Sequence, residues 1–382
     1  MSLGEQLVDT TLIMLCAGSS SRFSSDVKKQ WLRIGHDPLW LFVTKSLEKQ
    51  NDFFEVIVVG AEDELSFMSH YASYRYVKGG NTRQESLKNA LLHVQTPFVL
   101  VSDTARACIN PELLQRVFTQ KANADVIVPF LHVTDTVVYD GLTIDREKVK
   151  RLQTPQLSAT KALRSALVED SAFTDESSAV VANGGSRLFV LGDEDAHKIT
   201  FLSDLNKIPC LSAPSNETLS GNGFDVHAFD EGGVMWLGGV KIEAAFGFKA
   251  HSDGDVAIHA LIDALLGAAG LGDIGMLFPD NDERYRGIDS KELLRLVVQK
   301  LHNFGFVIVN ADITIAAQTP KLSEYKLQMR KVLAEILHID ASRMNVKATT
   351  TEKLGFIGRS EGVGVFANAN LKYFNWKLIG KE

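Results

Sequence analysis

Thr11-Leu12-Ile13-Met14-Leu15-Cys16-Ala17-Gly18-Ser19-Ser20-Ser21-Arg22-Phe23 decides how the first half of this chain reads. An apolar run of strand length passes into small residues and then a cation. The run reads as a buried strand. The small residues let backbone N–H groups approach a phosphate closely, and Arg22 adds charge. The loop is neither a Walker A sequence nor a Gly-x-Gly-x-x-Gly fingerprint. Taken alone, a plain serine-rich turn fits it as well.

Working outward, Val56–Val59, Phe98–Val101 and Val126–Val128 are further apolar runs of strand length. Between them lie helical patterns at Trp40–Lys49, Thr82–His93 and Pro111–Ala122. Strands alternating with helices imply right-handed crossovers and a mostly parallel sheet. The expected fold is α/β: a three-layer first domain with a Rossmann-like sheet over residues 1–211. Residues 212–223 are polar and rich in breakers, and a linker is placed at 212–217. A smaller α/β domain is expected over 218–382. It carries helical patterns at Val256–Ala269, Ser290–Asn303 and Glu324–Leu337, and strand patterns near Val307–Ala316 and Val363–Leu371. No internal repeat or low-complexity tract is visible.

The 382 residues are 45% hydrophobic and 23% charged, which is ordinary globular composition for two or three domains. A net charge of -7 gives no reason to expect nucleic-acid binding. No apolar run is long enough to span a bilayer. Met1-Ser2-Leu3-Gly4-Glu5-Gln6 lacks a basic and apolar leader pattern. Cys16, Cys108 and Cys210 are few and far apart, so no disulfide framework is expected and a reducing, cytoplasmic compartment is favoured.

In the second half, Asp225 and His227 lie two apart on an expected strand and so share a face. His259 lies on the strong helical pattern that begins at Val256. Zinc accepts carboxylate and imidazole together, and three protein ligands leave one position open. A lone Asp-x-His is common by chance and equally fits hydrogen-bonded histidines near a core. Asp263, one helical turn after His259, is expected to orient its ring.

Four motifs then follow in order: Gly223-Phe224-Asp225-Val226-His227, His251-Ser252-Asp253-Gly254-Asp255-Val256-Ala257, Leu271-Gly272-Asp273-Ile274-Gly275 and Lys347-Ala348-Thr349-Thr350-Thr351-Glu352-Lys353-Leu354-Gly355-Phe356. Together they resemble 2-C-methyl-D-erythritol 2,4-cyclodiphosphate synthase, over nearly all of 218–382. The resemblance implies zinc on Asp225, His227 and His259, and a second divalent ion, magnesium, on Glu352. It implies that His251 and Thr350 stabilise the transition state. Asp273 and Gly275 would meet the sugar hydroxyls. Ala317, Pro320 and Lys321 would surround the cytidine, and Phe356 and Arg359 would complete the pocket. The resemblance implies Ser252, Ile274, Phe278, Asp280, Asp282, Thr349 and Thr351 as further substrate-binding positions. The implied reaction is intramolecular: the 2-phosphate attacks the β-phosphorus of a cytidine diphosphate arm and CMP leaves. Positioning and charge neutralisation carry such chemistry. Members of the family are trimers, which implies a homo-oligomer. Val363–Ala369 is compatible with burial at a three-fold axis or in an ordinary core.

The first half carries its own ordered set. Lys29 follows the loop, Gly79-Gly80-Asn81-Thr82-Arg83-Gln84-Glu85-Ser86 opens a helix, and Asp103-Thr104-Ala105-Arg106 ends a strand. Asp135-Thr136, Asp145-Arg146, Thr154-Pro155-Gln156, Thr174-Asp175-Glu176 and Lys198-Ile199-Thr200 come later. The set resembles 2-C-methyl-D-erythritol 4-phosphate cytidylyltransferase, over residues 10–206. Cys16, Ala17, Gly18, Gly80, Asn81 and Ser86 would then surround CTP. Arg22 and Lys29 would neutralise the pentacoordinate phosphorus. Asp103 would lie near magnesium, with Arg106 nearby. Thr136, Arg146, Thr154 and Lys198 would grip the methylerythritol phosphate. Three places depart from the family pattern: Ser20 stands for a glycine, Cys16 for an alanine, and Thr104 and Ala107 alter the usual Asp-Ala-Ala-Arg-Pro run.

The two resemblances imply a fused enzyme of non-mevalonate isoprenoid biosynthesis. It would use CTP and methylerythritol phosphates, and neither nucleic acid nor membrane. A kinase acts between the two reactions, and fusion is expected to favour assembly with it. Three other readings remain open: a catalytically weak first domain, a sugar-1-phosphate nucleotidylyltransferase, and a non-catalytic zinc-binding oligomer.

Overall fold

The computed structural model describes residues 8–23, 25–168, 173–249, 253–279, 281–285 and 287–379. They form two compact units. The first comprises the described residues of Met1–Ala213 and of Trp376–Glu382, and the second is Pro214–Asn375. The closing segment thus groups with the first unit, whereas composition places it with the second. Trp376 explains this: it is buried, and its Nε1 donates to Arg33 O at 2.8 Å. A buried indole N–H usually finds such a partner.

Among the described residues, the first unit is built on an eight-stranded sheet. Its centre is Thr10–Leu15, paired in parallel with Glu55–Gly60 on one side and Phe98–Asp103 on the other. Leu12, Ile13 and Met14 are fully buried, as expected for a strand covered on both faces. Arg75–Lys78 extends the sheet in parallel beyond Glu55–Gly60. On the other side Gln156–Ala159 runs antiparallel between Phe98–Asp103 and Val126–His132. Arg187–Leu191 and Lys150–Leu152 complete it. The sheet is mixed but largely parallel, the α/β fold expected from sequence.

The parallel strands Thr10–Leu15, Arg75–Lys78 and Phe98–Asp103 run in the same direction, and their carboxyl edge carries the serine loop, the Gly79-Gly80 turn and Asp103. Crevices at that edge are where open α/β sheets bind ligands. The loops approach closely: a Cβ added at Gly79 would fall 2.4 Å from that of Ala17. The helix Arg83–Leu91 follows the turn and is capped by Thr82, whose Oγ1 accepts Glu85 N at 3.0 Å.

In the second unit, Leu219–Glu231 pairs antiparallel with Gly362–Tyr373, which pairs antiparallel with Phe306–Ala316. Met344–Thr349 closes that side in parallel, and Phe246–Phe248 flanks the other. The first strand begins inside the breaker-rich stretch, just beyond the expected 212–217 linker, so Gly221 and Gly223 are strand residues. They let the helix Val256–Ala269 lie directly on the strand. A Cβ at Gly223 would sit 2.0 Å from Ala260 O, and one at Gly221 2.2 Å from Ala264 O. Helix and strand therefore meet backbone to backbone where Asp225, His227 and His259 face one another. No helix of the described residues is long and apolar enough to cross a membrane.

The disulfide expectation fails. Cys108 and Cys210 form a bridge with Cα atoms 5.7 Å apart, across a sequence separation of 102. Spacing along the chain could not show this, because folding, not sequence proximity, brings the two thiols together.

Candidate active sites

At the carboxyl edge of the first sheet lies a cavity of about 400 Å³. Cys16, Ala17, Gly18, Arg22, Lys29, Gly80, Asn81, Ser86, Asp103 and Lys198 line it, as do Ser20, Arg83 and Thr104. Asp103 is its electrostatic centre. Its Oδ1 accepts Arg83 Nε at 3.1 Å and Nη2 at 3.0 Å, and its Oδ2 accepts Lys198 Nζ at 2.7 Å. Burial alone would raise its pKa, but the Arg83 and Lys198 charges outweigh that and hold it well below the usual carboxylate range. Lys29 donates from Nζ to Ile199 O at 2.6 Å. Burial, with the Lys198 and Arg22 charges, pulls its pKa down to about 8.

Local hydrogen bonds shape the phosphate loop. Ser20 takes a left-handed φ of 58°. Its Oγ accepts Lys29 N at 3.0 Å and donates to Gln30 Oε1 at 3.3 Å. Gln30 Nε2 donates to Gly18 O at 3.3 Å and to the buried Glu64 Oε2 at 3.1 Å. Ser86 Oγ accepts Gly80 N at 3.0 Å, so the glycine turn is stitched to its helix. Cys16 Sγ lies 2.9 Å from Thr104 Oγ1. Burial pushes the Cys16 thiol up to about 12, so it is a neutral thiol in the cavity wall.

Other positions stand apart. Arg106 spends its guanidinium on Ala196 O and Leu152 O, at 2.7 and 3.2 Å, and lines a neighbouring cavity of about 370 Å³. Thr154 Oγ1 accepts Asp103 N at 3.5 Å from beneath the site. Thr136 and Arg146 do not line the cavity. They flank an exposed hairpin, Val137–Tyr139 with Leu142–Ile144, and Arg146 donates to Thr134 O. Arg83 and Glu176 stand within the quoted motifs, but their sequence context gives them no role. A lone arginine in a helix turn carries no sequence signal of its role, and the buried Glu176 that grips it lies 93 residues away.

In the second unit, ligand atoms of Asp225, His227 and His259 all lie within 4.8 Å of one another, the one such group among the described residues. Asp225 Oδ2 is 3.1 Å from His227 Nε2 and 3.3 Å from His259 Nδ1. The outer ring nitrogens are engaged. His227 Nδ1 meets Gly254 O at 3.0 Å, and that carbonyl can only accept. His259 Nε2 meets Ser290 Oγ at 3.1 Å, and Ser290 gives its own proton to Asp253 Oδ1 at 2.5 Å. Both rings must therefore donate outward, which follows from the network rather than from visible hydrogens. As neutral imidazoles, both rings then turn their remaining lone pairs toward the Asp225 carboxylate oxygen. That donor set fits a divalent cation of the zinc type. Asp255 caps the helix, its carboxylate accepting Ile258 N, Gly238 N and Gly239 N.

Asp263 does not orient His259. It accepts Ile274 N at 2.8 Å and so ties the Asp273-Ile274-Gly275 turn to the helix. Ser290, 31 residues downstream of His259, takes the orienting role, which helical spacing could not reveal. Asp273 caps the short helix Ile274–Leu277. Phe278 packs on Tyr285, and Asp282 pairs with Arg284. His251, Ser252 and Asp280 lie outside the described residues.

A second cluster forms where Phe306–Ala316 and Met344–Thr349 end. Ala317 N donates to Thr349 O at 2.9 Å, Lys353 N to Gln318 Oε1 at 3.4 Å, and Thr350 Oγ1 to Glu352 Oε1 at 2.9 Å. Pro320, Lys321 and Thr351 flank it in sequence. Glu352 is exposed, as are Phe356 and Arg359, the latter paired with Glu361. The register His227↔Val363, Gly364↔Ala316 and Ala316↔Thr349 puts this cluster on the same end of the sheet as the histidines. Three strand spacings, about 14 Å, separate them.

A chain with a cationic nucleotide-sized cavity on one α/β unit and a carboxylate–imidazole cluster on another is built for phosphate chemistry at two places. Residues 10–210 match the family model described as 2-C-methyl-D-erythritol 4-phosphate cytidylyltransferase, and residues 219–372 match the YgbB family. The Bifunctional enzyme IspD/IspF of Sulfurimonas denitrificans is 64% identical over 377 residues, covering 99% of this chain and 98% of that protein. That of Campylobacter curvus is 56% identical, covering 97% and 100%. A solved structure of the Bifunctional IspDF from Campylobacter jejuni matches with a TM-score of 0.90 and 48% identity, covering 97% of this chain and 100% of that one. The chain belongs to the family of bifunctional IspD/IspF enzymes. Its halves match the cytidylyltransferase and cyclodiphosphate synthase functions of isoprenoid biosynthesis, a transferase and a lyase in one polypeptide.

Proposed function

We propose that the first cavity joins CTP to 2-C-methyl-D-erythritol 4-phosphate. A 4-phosphate oxygen attacks the α-phosphorus of CTP, the bond to the bridging β-oxygen breaks, and pyrophosphate leaves. Arg22 and Lys29 neutralise the charge that accumulates on the pentacoordinate phosphorus. Ala17, Gly18, Gly80, Asn81 and Ser86 hold the nucleotide. Lys198, with Thr154, aims the methylerythritol phosphate. The observation that carries this reading is the convergence of Arg22, Lys29, Asp103 and Lys198 on one cavity at the sheet's carboxyl edge.

In the second unit, a 2-phosphate oxygen attacks the β-phosphorus of the diphosphocytidyl arm. The bridge to the α-phosphate breaks, the cyclic diphosphate closes and CMP leaves. Asp225, His227 and His259 would hold zinc, and Glu352 would hold magnesium together with substrate phosphates. Magnesium would also accompany CTP beside Asp103. Bound dications supply positive charge to the attacked and leaving phosphates. His251 and Thr350 steady the transferred phosphoryl group, Asp273 meets the sugar hydroxyls, and the Ala317–Lys321 turn takes the cytidine.

The three strand spacings, about 14 Å, between the strand ends that carry Glu352 and His227 support sites completed by a second copy, in a trimer formed through the second unit. The exposed Phe224, Val226 and Phe366 on the far face of its sheet support the same assembly. The protruding hairpin, with exposed Val138, Tyr139 and Leu142, supports further contact through the first unit, bringing Thr136 and Arg146 to a neighbour's cavity. The enzyme works in the cytoplasm, in association with the kinase that acts between its two reactions.

Two assays on the full chain test the assignment. Lys29→Ala is expected to abolish pyrophosphate release and spare CMP release; His259→Ala is expected to do the reverse. Loss of both activities from either change, or of neither, overturns the separation of roles.

A further inference from the structure

The first site contains a buried carboxylate that none of these roles uses. Glu176 opens the helix Glu176–Ala182 and does not line the cavity. Its side chain is wholly buried. Its Oε1 accepts Arg83 Nη1 at 2.6 Å, while its Oε2 has no partner. An ion pair buried with one oxygen unsatisfied is a poor stability device, because apolar replacements often do as well or better. Arg83 reaches the cavity wall, yet three of its nitrogens are already held: Nη1 by Glu176, and Nε and Nη2 by Asp103 Oδ1. A free arginine fork beside a nucleotide would take a phosphate bidentately. Here the fork is committed elsewhere. Charges alternate from Glu176 through Arg83 and Asp103 to Lys198, so that Asp103 Oδ2 is left to hold the partly exposed Lys198 ammonium.

We propose that Glu176 and Arg83 are positioning residues for cytidylyl transfer: Glu176 locks the Arg83 fork, which fixes the Asp103 carboxylate and, through it, the Lys198 ammonium. This rests on the reading of the first site as a cytidylyltransferase. Neither residue touches the reacting phosphorus. Their effect is on geometry, so it falls on turnover rather than on nucleotide affinity.

Glu176→Gln keeps the shape and removes the charge. In the full chain, kcat for pyrophosphate release is expected to fall about 10–100-fold, as for other outer-layer orienting partners. KM for CTP is expected to stay within about 3-fold, because uniform binding is untouched. CMP release should not change. In an Arg83→Ala background, Glu176→Gln should cost nothing further, because its route to Asp103 is gone. Additive losses in the double variant, or wild-type kcat in Glu176→Gln, overturn the proposal. Should Glu176→Gln unfold the first unit, Arg83→Lys carries the test. It keeps the charge without the fork, and wild-type turnover in it is equally fatal. An unaltered chain that releases no pyrophosphate overturns the underlying reading of the site, a result distinguishable from failure of the relay alone.

Discussion

Gly223 is the place where one added methyl group separates folding from metal binding. Its Cβ would lie 2.0 Å from Ala260 O and 2.9 Å from Ala264 N and Asp263 Cβ. Two of these three atoms are backbone, so no side-chain rotation relieves the clash. Strand and helix must part by roughly 1 Å before the contact is tolerable. Overpacking of that kind costs about 1–3 kcal/mol. A unit of this size should lose about 2–4 °C of Tm per kcal/mol. The helix turn that must move holds His259, whereas Asp225 and His227 stay with the strand. Metal–ligand distances tolerate about 0.2 Å, so zinc affinity should fall by at least 10-fold.

Gly221→Ala is the control. Its Cβ would meet Ala264 O at 2.2 Å and Ala268 N at 2.3 Å, an equal clash one turn farther from the ligand. The measurements are chelator-competition zinc titration and thermal melting of the full chain. Gly223→Ala should lose both stability and affinity; Gly221→Ala should lose stability with a distinctly smaller change in affinity. Equal affinity losses in the two variants, or wild-type zinc binding by Gly223→Ala, would refute the argument that this close approach sets the ligand geometry.

Lys29 has its pKa pulled down to about 8, so its charge is lost as pH rises through that value. In the free enzyme, kcat/KM for CTP should decline above about pH 8, and Lys29→Arg, still charged there, should remove that limb; a flat wild-type profile to high pH contradicts this. Ser20→Ala keeps the left-handed backbone and loses both hydroxyl hydrogen bonds, so it should be less stable than Ser20→Gly by about 1 kcal/mol, read by denaturant melts. The Cys108–Cys210 bridge closes a loop of about a hundred residues, worth up to about 4–5 kcal/mol in the chain-entropy account. Unfolded, unreduced chain should therefore titrate one free thiol, Cys16, and reductant should lower the first unit's Tm; three thiols without reductant would exclude the bridge.

The α/β alternation was legible because the central strands are buried on both faces and read as unbroken apolar runs. The residues that reach the two sites were legible because their motifs are short-range: a loop after a strand, two residues on one strand face, a turn before a helix. What escaped was whatever depends on distant contact. Ser290 replaces Asp263 as the partner of His259 because helix spacing states which residues are near in one helix, not which neighbouring helix begins beside it. Glu176 reaches Arg83 across 93 residues, and Cys108 reaches Cys210 across 102. The start of the strand at Leu219 was hidden by the same glycines that let the helix approach it.

Departures from the family pattern become intelligible once these contacts are known. Cys16 and Thr104 replace two small residues on adjacent strand ends, and they meet each other at 2.9 Å. A lone polar atom in that buried wall would cost about 1–3 kcal/mol, while two that satisfy one another cost far less. Two departures that looked independent are therefore one paired change, and it leaves the thiol neutral beside the nucleotide pocket. Ser20 follows the same logic. The left-handed backbone that glycine adopts freely is strained for serine, and the hydroxyl answers by tying the loop to Lys29 N and Gln30. In both cases the substitution spares the charged groups of the cavity and is absorbed by the layer behind them. Arg22, Lys29, Asp103 and Lys198 thus bring their charges to one cavity, while this chain's individuality lies in how their surroundings are braced.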